Sequence, residues 1–71
     1  ARRAGELGPE VAAEVAVRLV ADEEPDLRVA GALLAARHRV RLPEALLRTL
    51  LVDDRPAVRV AGYAAAMSAL P

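Results

Sequence analysis

The segment Pro25-Asp26-Leu27-Arg28-Val29-Ala30-Gly31 returns 31 residues later as Pro56-Ala57-Val58-Arg59-Val60-Ala61-Gly62, and acidic residues precede both copies. A period of this length holds one pair of helices. Such a pair cannot bury its own apolar faces, so units of this kind stack on neighbours. The chain is therefore expected to be all-α, with two antiparallel helical hairpins lying side by side. They form one helical-repeat domain over residues 1–71, with units at about 8–39 and 40–70.

Composition narrows what such hairpins can do alone. A chain of 71 residues is small for a self-sufficient core, and the absence of cysteine removes disulfide staples. Phe and Trp are also absent, and Tyr63 is the one aromatic, so burial falls to Leu, Val and many alanines. This balance predicts a part of a longer array, or a self-associating piece. Ten arginines, without any lysine, offset ten acidic side chains, and the neutral total argues against a general polyanion binder. The arginine-only usage fits a GC-rich bacterial genome. No run of 18 apolar residues or signal-peptide pattern occurs, which with the lack of cysteine points to a cytoplasmic setting.

Helix signals divide the chain four ways. Gly8-Pro9 opens a first helix to Ala21, since proline suits the first helical position. Val11, Ala12, Val15, Ala16, Leu19 and Val20 form its apolar side, with Glu14 and Arg18 as an i, i+4 pair opposite. Pro25 opens a second helix to about His38, with Leu27, Ala30, Gly31 and Leu34 expected inward. A third runs from Pro43 to Val52, with Leu46, Leu47, Leu50 and Leu51 clustered opposite Glu44 and Arg48. A fourth runs from Pro56 through Ala69, with Val58, Ala61, Gly62 and Ala65 inward. Gly31 and Gly62 cost about 1 kcal/mol each against alanine in a helix interior, which close approach of a second helix would explain. The second and fourth helices are apolar nearly all round, so something is expected to cover them.

Acidic residue, turn, proline, one residue, aliphatic, arginine, two residues, small residue: this order resembles the HEAT-like repeat family. It reads Asp22-Glu23-Glu24-Pro25-Asp26-Leu27-Arg28-Val29-Ala30, then Asp53-Asp54-Arg55-Pro56-Ala57-Val58-Arg59-Val60-Ala61, with an Asp six residues before an Arg each time. The leucine-rich repeat variant is a sister resemblance, carried by Leu42-Pro43-Glu44-Ala45-Leu46-Leu47. Leu70-Pro71 looks like the start of a further unit, so the end at Pro71 reads as a cut. The resemblance implies a right-handed α-solenoid acting without catalysis, as a scaffold or protein-interaction module in a regulatory region of a larger bacterial protein. It also implies an interacting surface made by the second helices of each unit. The longer join between hairpins and the lack of polar capping units depart from the pattern.

Candidate chemistry is sparse. Asp22 with Arg28, and Asp53 with Arg59, read as a structural ladder in which each carboxylate accepts turn N–H groups and pairs with an arginine of its own or the next unit. Val29, Leu33, Val60, Tyr63 and Met67 lie off the expected contact stripes and are candidates for a partner-facing patch. Arg37, Arg39 and Arg41, with His38, form the one basic cluster and a candidate anion contact. No nucleophile turn, glycine-rich phosphate loop, His-Glu dipeptide or cofactor motif is present, so no enzyme, metal or cofactor is expected. A chromophore lyase on HEAT-like repeats would need acid and base residues not found here. Two other readings stay open: nucleic-acid binding through an arginine-bearing surface, and a self-associating helical bundle.

Overall fold

The computed structural model describes residues 8–70; the expectations that touch residues 1–7 and Pro71 lie outside the described residues. Among the described residues the chain is all-helical, with four helices: α1 Pro9–Val20, α2 Pro25–His38, α3 Glu44–Leu51 and α4 Pro56–Ser68. Proline occupies the first turn of α1, α2 and α4, where its missing N–H costs nothing. At α3 the proline instead stands one place earlier: Pro43 is the N-cap, and its carbonyl accepts from the Leu47 N–H at 3.0 Å. The third helix therefore starts a residue later than its sequence suggests.

The helices pair as hairpins. α1 packs on α2 and α3 on α4, while α2 and α4 form the joint between the hairpins; α1 and α3 barely touch. The hairpins thus meet through their second helices and fan apart at their first. Small residues make this possible. A Cβ added at Gly31 would lie 2.6 Å from the Leu19 Cβ and 2.8 Å from the Val20 backbone nitrogen. One added at Gly62 would lie 2.7 Å from the Leu50 Cβ. Both glycines therefore admit a first helix closer than any side chain would allow.

The core joins Ala16 and Val20 of α1, Ala32 and Ala35 of α2, Leu42 of the connection, Leu50 of α3, and Val58, Ala61 and Ala65 of α4. The inward set expected for α4 is the buried set found, Val58, Ala61, Gly62 and Ala65. For α2 the expectation needs correcting. Leu27 and Ala30 are exposed, and Ala32 and Ala35 are buried in their place. A helix that is apolar around its circumference has no polar face to fix its rotation, and packing between two neighbours turns it toward both. Two further positions expected inward, Val11 and Leu51, are exposed.

The connection from α2 to α3 is held at its start. Arg39 adopts a left-handed conformation at φ 53°, the Arg39 N–H bonds Ala36 O, and the Val40 N–H bonds Ala35 O at 2.8 Å. This is the Schellman arrangement, which ordinarily takes glycine at the left-handed place. It turns the chain so that Leu42 enters the core. No helix of the described residues is long and apolar enough to cross a membrane.

Candidate interaction surface

The turns within the two hairpins are built alike. The Asp22 Oδ1 accepts from the Glu24 N–H at 2.9 Å, and the Asp53 Oδ1 accepts from the Arg55 N–H at 2.9 Å. The N-cap residues themselves, Glu24 and Arg55, make no side-chain cap. Each aspartate thus orders the turn two residues ahead of it, a usual role for a short carboxylate.

One helical turn further, an arginine reaches back over the same loop. The Arg28 Nη1 donates to the carbonyls of Asp22 at 3.1 Å and Glu23 at 2.7 Å. The Arg59 Nη1 donates to those of Asp53 at 2.7 Å and Asp54 at 3.2 Å. Each carboxylate is expected to pair with an arginine of its own or the next unit, but within a unit the arginine contacts the aspartate's backbone and not its side chain. The carboxylate contact runs forward across the joint, where the Arg28 Nε donates to the Asp53 Oδ2 at 3.0 Å. Arg28 therefore ties its own turn and that of the second hairpin together. Among the described residues no carboxylate stands opposite the Arg59 Nε, and no arginine opposite the Asp22 Oδ2.

The same asymmetry extends over the apolar side chains. Arg28, Val29, Ala32 and Ala36 share the side of α2 that Arg28 turns toward the second hairpin, and Ala32 is fully buried. Their counterparts 31 residues on are Arg59, Val60, Tyr63 and Met67. Val60 is 70% exposed, Tyr63 63% and Met67 51%. The α4 helix thus offers to solvent the side that α2 buries. Leu33, on the other flank of α2, is half exposed, whereas Val29 packs against the core.

Two further apolar residues, at the end of α3, are exposed with no sequence signal to mark them. Leu51 is the counterpart of buried Val20, and Val52 follows it, and both are exposed. At the opposite end of α3 a cavity of about 250 Å³ lies between the start of α3 and the end of α4, bordered by Arg41, Leu42, Leu47, Ala66 and Leu70.

Arg37, Arg39 and Arg41 are exposed, and only Arg41 borders the cavity, with Glu44 at its rim. The ion pairs Glu14 with Arg18 and Glu44 with Arg48 follow the expected i, i+4 spacing and lie in solvent. Among the described residues no three metal-capable side chains cluster.

Fold and surface together define a small all-α domain of two jointed helical hairpins with an open apolar face. No family model matches the chain, and neither a curated protein nor a solved structure shows significant similarity to it.

Proposed function

We propose that the chain is a non-catalytic protein-interaction or scaffold module built from HEAT-like repeats in an α-solenoid, a regulatory region of a larger bacterial protein working in the cytoplasm. The observation that carries this reading is the exposure of Val60, Tyr63 and Met67, whose counterparts in α2 are Val29, packed against the core, Ala32, fully buried, and Ala36, half-buried. Contiguous apolar side chains in water mark places where another surface sits. Arg59 at the edge of the patch supplies a directional, charge-bearing contact, so the surface has the apolar centre and polar rim common to protein interfaces.

A nucleic-acid reading fits the same residues less well. Arg28 is engaged by two turn carbonyls and by Asp53, so it is no free phosphate ligand, which leaves Arg59 as one arginine on this face with an edge to offer. The chain's positive and negative charges also balance.

The test is a photo-reactive residue placed at position 63 and, separately, at position 18 on the polar side of α1. Crosslinks to protein from position 63 and none from position 18 are expected in cells producing the chain. Crosslinks to nucleic acid from position 63, or equal silence at both positions, would overturn the reading.

A further inference from the structure

We propose that the open face of α3 and α4 seats a second copy of this chain, head to tail, with the Arg59 Nε of one copy donating to the Asp22 Oδ2 of the next. This rests on the interaction-module reading and gives that face a partner and a register.

The joint inside the chain is the template. There the arginine of one hairpin meets the aspartate of the following hairpin across the contact of α2 with α4. A second copy supplies each part in the same relation. Its Asp22 is the counterpart of Asp53 and already has one oxygen engaged by the turn, as Asp53 does. Its α2 exposes Ala30 and Leu33, the counterparts of Ala61 and Ala64, of which Ala61 is buried and Ala64 half-buried. Placed in the same register as α4 on α2, but held farther out by Tyr63 and Met67 where α2 has Ala32 and Ala36, that helix would cover Val60, Tyr63 and Met67. The charges match as well: among the described residues neither the Arg59 Nε nor the Asp22 Oδ2 has a partner of opposite charge.

The cavity beside α3 gives an independent sign of the same register. Leu47 and Ala66 border it, and their counterparts in the first hairpin are Ala16 and Ala35. Those two residues are buried in one cluster with Leu42, the side chain that enters the core from the connection. The counterpart of Leu42 is Val11, which is exposed. Val11 stands in the first turn of α1, whereas Leu42 precedes α3, so a docked second copy would bring an exposed helical valine toward the cavity of the first.

Because the two surfaces differ, the contact does not close on itself and further copies add in a row. Sedimentation velocity of the chain from micromolar to millimolar concentration is the test, with circular dichroism as the check on folding. Mass that rises steadily, without a plateau at two copies, is expected. Tyr63→Glu blocks the tail surface and Leu33→Glu the head, and each alone should weaken association by about a hundredfold or more. Their equimolar mixture should give two-copy particles and nothing larger. Asp22→Asn keeps an oxygen for the Glu24 N–H while removing the charge, and should weaken association about tenfold. A folded monomer at millimolar concentration, a closed dimer, or growth indifferent to Asp22→Asn would each overturn the proposal. Crosslinking from position 63 to some other protein would, in the first of these cases, leave the interaction-module reading standing.

Discussion

Arg28 and Asp53 meet across the joint with Nε to Oδ2 at 3.0 Å, and their side chains are only 19% and 14% exposed. An ion pair so placed differs from one in open water, because removing either partner strands a charge that solvent reaches poorly. Arg28→Met retains the packing of the stem and removes three donated hydrogen bonds. A loss of about 2–3 kcal/mol in urea unfolding is expected. A double-mutant cycle with Asp53→Asn should give a coupling of about 1–2 kcal/mol, and a value near zero would remove the ion pair from the account of the joint.

The Glu14 and Arg18 pair provides the contrast. Both side chains are mostly in solvent, at 67% and 78% exposure, so the same cycle with alanine at each position should return less than about 0.5 kcal/mol. It should shrink further in molar salt.

Alanine at Gly31 gains about 1 kcal/mol of helix propensity yet meets Leu19 and the Val20 backbone. Overpacking against a Cβ and a main-chain atom, neither of which can swing aside, costs more than propensity returns. A net loss of about 1–3 kcal/mol is expected. At Gly62 the nearest backbone atom is 3.4 Å away, so Gly62→Ala should cost less. A reversed order of the two midpoints would count against the packing described.

Arg39→Gly should stabilise the fold by about 1 kcal/mol, because arginine at φ 53° carries the steric penalty that glycine escapes. A fall in the midpoint would mean that the arginine side chain earns its place by some contact of its own.

Leu50→Ala and Val60→Ala separate core from open face. Leu50 is 1% exposed, and its truncation should cost about 2–5 kcal/mol, enough to unfold a domain of this size. The same truncation at Val60, measured in the monomer, should fall within about 0.5 kcal/mol of zero.

Helix positions were legible because the chain punctuates them with proline and acidic turns. The inward face of α4 was legible through Gly62, a costly residue in a helix interior that signals close approach of a second helix on the side carrying Val58, Ala61 and Ala65. The rotation of α2 was not. Leu27, Ala30, Ala32, Leu33 and Ala35 surround the axis, and only the positions of α1 and α4 choose among them. The partner of Arg28 was equally hidden, because Asp22 and Asp53 are chemically alike and the choice depends on which hairpin lies beside which. Arg39 gave no warning of its left-handed backbone, the usual glycine being absent.

With one guanidinium gripping loops of both hairpins, neither hairpin has a private stability. Loosening the second strips Arg28 of its carboxylate; loosening the first takes away the side chain that neutralises Asp53. Heating should accordingly dismantle the domain in a single sigmoid, with both halves losing helicity at the same temperature.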